Sequence, residues 1–154
     1  MRTGVKLILS LLIPLVVGWS ASWFTIPEIA GWYTTLAKPA WNPPNYIFGP
    51  VWTVLYVLMG IVLFLIWKNR PTEKRLLILF FIQLALNFGW SLLFFGAHRI
   101  GFALIDLLLL WIVLWILIIY LGKVHKTASW LLVPYIAWVS FAGILNYTIF
   151  HLNL

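Results

Sequence analysis

Polar side chains set into otherwise apolar stretches are the first groups in this sequence with the makings of a site. Gln83, Asn87 and Ser91 recur at every fourth position of one such stretch. That spacing lines them along one face of a helix, with Trp90 and Phe94 beside them. Asp106 is the one acid inside an apolar run, and Asn146 follows Leu145 in another. Trp52 and Tyr56 stand one helical turn apart. Pro134, Trp138, Ala142 and Leu145–Asn146 share a face of the last apolar run. A polar group in hydrocarbon is costly and usually faces the interior of a bundle. An apolar, aromatic-walled cavity with a few polar groups is what a flat hydrophobic ligand requires.

Other chemistries lack their residues. The chain has no Cys, which excludes disulfides, thiolate catalysis and Cys-ligated metals. It has no phosphate loop, no Ser/His/Asp set and no paired carboxylates. His98, His125 and His151 lie far apart in the sequence, so no metal site is expected and an axial haem ligand is weakly supported. No line of charges crosses the apolar runs, as a proton-coupled pump would need. For Asp106 the alternative to a ligand contact is an ion pair with Arg99, seven residues earlier on nearly the same face. Lys38 either pairs with a ligand carboxylate or is a solvated loop lysine.

The elements that must position these groups follow from composition. Hydrophobic residues make up 64% of the 154 and charged residues 8%. So few charges cannot cover a water-facing domain, and so apolar a chain is not disordered. Solid apolar runs, without alternation, point to helices rather than a membrane barrel. Five stretches reach the length needed to cross a bilayer, at about 5–25, 48–67, 76–97, 100–121 and 128–150. The expectation is a single all-α transmembrane domain over 1–154, a bundle of five spans. Pro71 reads as a stop signal in the second connection, and Pro134 should bend the last helix. Gly18 with Ser22, and Ala85 with Gly89 and Gly96, are small-residue faces for close helix contact, the latter also for a dimer.

The formal charge is +7, but its basic residues sit at the ends of apolar runs and mark topology rather than a nucleic-acid stripe. Arg2, Lys6, Lys68, Arg70, Lys74, Arg75, Lys123 and Lys126 fall on one side of the membrane, and Lys38 and Arg99 on the other. The positive-inside rule then places the N-terminus in the cytoplasm and the C-terminus outside. The first run is too long, and too crowded by Trp19 and Trp23, for a cleaved secretion signal. Of the eleven tryptophans, Trp19, Trp23, Trp67 and Trp130 suit interfacial anchoring. Trp90, Trp111, Trp115 and Trp138 fall inside spans, where packing competes with a ligand role. By depth, Trp52, Trp90, Asp106 and Asn146 belong to the outer half, Asn87 and Trp138 to the middle, and Gln83 lies deeper. The Pro-rich outer connection 26–47, with Trp32, Lys38, Trp41, Pro43 and Pro44, is the expected lid.

Trp32-Tyr33, Leu36, Lys38-Pro39, Trp41 and Pro43-Pro44 resemble the first loop of the TspO/MBR family of tryptophan-rich sensory and translocator proteins. The resemblance continues through Phe48-Gly49-Pro50-Val51-Trp52-Thr53-Val54-Leu55-Tyr56 and Met59-Gly60. It extends to Gln83, Leu86-Asn87, Trp90, Phe94-Phe95, Ala103-Leu104 and Asp106, and ends with Pro134-Tyr135, Trp138, Phe141-Ala142 and Leu145-Asn146-Tyr147. It implies a five-helix bundle, usually a homodimer in a cell membrane, whose pocket is lined from the second, third and fifth helices and covered by the first loop. The implied ligands are protoporphyrin IX, haem-like tetrapyrroles and isoquinoline carboxamide drugs, with no tightly bound cofactor. Trp52 and Trp138 match the tryptophans implicated in light-dependent porphyrin breakdown, and Asn87 and Asn146 would be polar contacts. After Leu145 and Tyr147 the sterol motif of animal members lacks its basic residue, which makes sterol doubtful. The functions implied are a tetrapyrrole sensor or passive conduit, a photo-oxidative degrader, or a partner-organising scaffold.

Overall fold

In a computed structural model, which describes residues 2–69 and 73–154, every regular element is helical. The expected stop at Pro71 lies outside the described residues. Helix α1 is Thr3–Ala30, α2 is the short Trp32–Thr35, and α3 is Asn45–Asn69. Helix α4, Lys74–Ser91, continues into a π-helical turn, Leu92–Gly96. Helix α5 is Ile100–Val124, and the last span consists of α6, Lys126–Leu131, and α7, Val133–Leu152. Five of these segments are long and apolar enough to cross a membrane: α1, α3, α4 with its π turn, α5, and α6 with α7.

The spans close into a ring. Helix α1 packs on α3, α3 on α6, α6 and α7 on α5, α5 on α4, and α4 back on α1. Within lipid this packing gains little from the hydrophobic effect and depends on close van der Waals fit. The α1–α3 contact shows how close. A Cβ on Gly60 would stand 2.8 Å from the Leu11 Cα and 2.9 Å from the Ser10 carbonyl oxygen. Pro14 has no N–H to give that Ser10 carbonyl, so the same residue that interrupts the helix ladder leaves its free oxygen over Gly60. Gly18 lies against the Tyr56 ring. Two members of the second small-residue face are used within the chain, Gly89 against Asp106 and Gly96 against Phe24, while Ala85 is exposed.

Three boundaries differ from the sequence reading. Helix α1 runs through Pro27 to Ala30, and α2 then occupies part of the expected loop, so the irregular stretch is only 36–44. The end of α4 is π-helical, closed by Ala97 N–H donating to the Leu92 carbonyl at 2.8 Å. The last span is interrupted at Leu132, which keeps right-handed helical angles but whose N–H donates to the Ser129 carbonyl, two residues before Pro134, which has no N–H to offer the Trp130 carbonyl. The alternative reading of Asp106, an ion pair with Arg99, does not hold. Arg99 is the residue that precedes α5, and among the described residues the one contact of an acid with a basic side chain at salt-bridge distance joins Glu28 to His98.

The two halves of the bundle differ in density. Toward the second and fourth connections lies the packed core of Met59, Leu63, Ile66, Phe80, Leu110, Leu114 and Leu121, all almost fully buried. Toward the first and third connections the helices separate around a cavity. Gly60→Ala should cost about 1–3 kcal/mol through overpacking against unyielding backbone, read as a lower unfolding midpoint in detergent. Gly4→Ala, with nothing within 4 Å of the new methyl group, should not lower it.

Candidate ligand cavity

The cavity has a volume of 520 Å³ and is lined from α1, α2, α3, the α4 end with its π turn, and α7. Its aromatic wall is built in pairs. Trp52 stacks on Tyr56 with centroids 5.7 Å apart, and Trp90 on Phe94 at 5.3 Å. Trp138 lies against Phe141 at 5.4 Å and meets the Phe48 ring edge-on at 6.0 Å. The two members of the first pair are four residues apart, as are Trp90 and Phe94, so each pair is one helical turn presenting flat rings on one face.

Beneath the cavity Tyr56, Asn87, Tyr135 and Gln83 form a hydrogen-bonded chain. The Tyr56 hydroxyl donates to Asn87 Oδ1 at 2.5 Å, Asn87 Nδ2 to the Tyr135 hydroxyl at 2.8 Å, and that hydroxyl to Gln83 Oε1 at 2.9 Å. Asn87, Gln83 and Tyr135 are buried. The chain ties α3, α4 and α7 together, and only Tyr56 turns a ring upward into the cavity. A second polar joint sits in the wall. Trp90 Nε1 donates to Asn146 Oδ1 at 3.0 Å, and Asn146 Nδ2 to the Ile100 carbonyl at 3.1 Å, which fixes α4 to α7 and both to the start of α5.

The lid is fastened at several points. Trp32 stacks on His98 with centroids 4.1 Å apart and planes 12° from parallel. His98 holds a left-handed backbone, φ 53°, and its Nε2 lies 3.0 Å from Glu28 Oε2. Lys38 Nζ donates to the carbonyls of Tyr33 and Leu36 at 2.6 and 2.9 Å. Asn153 bonds both backbone groups of Ala37, and Trp41 meets Phe141 edge-on. Tyr33 donates to Asn42 Oδ1 at 2.8 Å. Burial pushes its phenol from the ordinary value near 10 up to about 12, against the small opposing effect of that hydrogen bond.

Of the residues singled out from sequence, Trp52, Tyr56, Trp90, Phe94, Trp138, Ala142, Leu145 and Asn146 line the cavity together. Gln83 and Asn87 lie below it, in the polar chain. Trp32, Lys38, Trp41, Pro43 and Pro44 lie outside the lining, and between α1 and α3 the residue that reaches the cavity is Tyr33. Asp106 stands outside the lining, with Oδ1 against Gly89 and Oδ2 buried without a hydrogen-bond partner. The sequence reading missed α1, which supplies Leu15, Gly18, Ser22, Thr25 and Ile29 among others. Its signal was the four-residue spacing of Gly18 and Ser22, which predicts a close helix contact but not a cavity wall. Trp19 and Ile26 of α1 and Tyr46 of α3 line the cavity while 61%, 66% and 78% exposed, so it opens sideways between these two helices. Among the described residues, no three His, Asp or Glu stand together as a metal site.

The fold and cavity define a multi-pass α-helical membrane protein built around an aromatic chamber. Residues 10–152 match the model of the TspO/MBR family, and the chain belongs to that family. It is 48% identical to the tryptophan-rich protein TspO of Chlorobaculum tepidum over 90% of each chain. It is 44% identical to the protein of the same name from Archaeoglobus fulgidus, over 96% of this chain and 97% of that one. The translocator protein of Bos taurus is 38% identical over 92% of this chain and 86% of its own.

Two outcomes follow from the geometry. Tyr135→Phe strands the Gln83 acceptor in the bundle and should cost about 1–3 kcal/mol, measured by unfolding in mixed micelles. Because the folded state holds the Tyr33 proton longer than the unfolded chain does, stability should fall as pH rises from 10 toward 12. Tyr33→Phe should flatten that part of the stability profile.

Proposed function

We propose that this chain binds a flat tetrapyrrole, protoporphyrin IX or a haem-like porphyrin, in the aromatic cavity. It would act there as a sensor or regulator, or as a passive conduit. The observation that carries the reading is the convergence of Trp52, Trp90 and Trp138 on one 520 Å³ chamber. Its size falls in the ordinary range for small-molecule sites, and its wall is rings rather than charges. The same flatness would admit isoquinoline carboxamide-type ligands. With no chain of charges through the spans, any transport would be downhill. The reading includes a cell membrane, the N-terminus in the cytoplasm, the C-terminus outside and a homodimer.

One observation favours a second reading, light- and oxygen-dependent breakdown of protoporphyrin. The indoles of Trp52 and Trp138 both line the cavity, where an excited porphyrin would meet them. The porphyrin would absorb the light and oxygen would be the oxidant, while the protein would orient the ring and offer an oxidisable side chain.

The test is a dark titration of protein in nanodiscs with protoporphyrin IX, followed by tryptophan quenching and then by illumination, beside Trp138→Phe. Saturable quenching is the expected result. A new absorbing product, lost or slowed in the variant, would establish the second reading. Bleaching no faster than in empty nanodiscs would leave a binder. Quenching that never saturates would overturn both readings and leave a scaffold.

A further inference from the structure

We infer that the cavity selects an uncharged ligand body, so that acid groups on a porphyrin are not bound inside it and contribute nothing to affinity. The inference rests on the tetrapyrrole reading and adds the charge class of the ligand. The residues lining the cavity include no Lys, Arg, His, Asp or Glu.

None of the basic side chains at that end of the bundle reaches the cavity lining. Lys38 is turned to the carbonyls of Tyr33 and Leu36 and over the Tyr33 ring, at 4.8 Å from its centroid. His98 is paired with Glu28 and stacked on Trp32. Arg99 precedes α5 and is not part of the lining. Of the two wall amides, Asn146 is occupied, accepting from Trp90 and donating to the Ile100 carbonyl, and Asn45 stands at the rim in the first turn of α3. Ionised carboxylates placed in such a chamber would be desolvated without a partner, which is strongly unfavourable. What the lining still offers is neutral: ring faces, the indole N–H groups of Trp52 and Trp138, the hydroxyls of Tyr46 and Ser91 and the Asn45 amide. A diacid porphyrin would therefore insert its apolar edge and leave both carboxylates at the level of Asn45 and Tyr46, where α3 begins beside the first connection and water is within reach.

The experiment compares protoporphyrin IX with its dimethyl ester, titrated in the dark into the same nanodiscs at low and high salt, each corrected for uptake by empty nanodiscs. The expected result is an ester bound at least as tightly as the diacid, within about threefold or better. Neither affinity should change by more than about twofold with salt. A diacid bound tenfold or more tightly than the ester, with affinity that falls as salt rises, would reveal a cation in the site and overturn the inference while leaving tetrapyrrole binding intact. Failure of both porphyrins to saturate would overturn the tetrapyrrole reading itself, and the inference with it.

Discussion

No water stands inside a bilayer to satisfy a stranded amide or hydroxyl, and the chain Tyr56–Asn87–Tyr135–Gln83 is how this bundle meets that constraint. Three helices contribute to it, and each must hold its register for the donors and acceptors to alternate. That requirement separates the two halves of the molecule. On one side of the chain the helices pack without interruption. On the other they are free to diverge, because the register has already been set below. The Tyr56 ring, fixed by its own hydroxyl, then serves as floor to the space above.

Much of this was legible in the sequence because a bilayer simplifies the reading. Span number and approximate ends follow from apolar length alone. The four-residue spacing of Trp52 with Tyr56, and of Trp90 with Phe94, also fixes which rings share a face. What spacing does not say is which neighbour a face meets. The polar character of Gln83 and Asn87 is enough to turn them inward, but their height against Tyr135 depends on a partner helix interrupted at Leu132. The share of α1 in the wall was hidden for the same reason. Gly18 and Ser22 announce a close approach, and a cavity appears only because α3 recedes from α1 above Tyr56.

The outer connection was legible as chemistry but not as shape. Its aromatic and proline content marked a lid, whereas the turn of helix at Trp32–Thr35 reversed which rings face inward, giving Tyr33 to the cavity and Trp32 to His98. The left-handed backbone at His98 is a conformation that a residue other than glycine adopts at some cost. Here the stack on Trp32 and the contact with Glu28 together hold it. Asp106 is the reverse case, a residue whose chemistry drew attention and whose position, against Gly89 and away from the chamber, is set by the closeness of α4 to α5.

The side mouth between α1 and α3 has a consequence for what occupancy means. An opening between two membrane helices is an opening onto lipid, so the reservoir feeding the chamber is the bilayer rather than the aqueous phase. Occupancy then follows the mole fraction of a compound among the lipids. Two compounds with equal fit but unequal solubility in the membrane would fill the chamber to different extents. A change in membrane composition would therefore change how far such a compound fills the chamber, with the protein and the total amount of the compound unaltered.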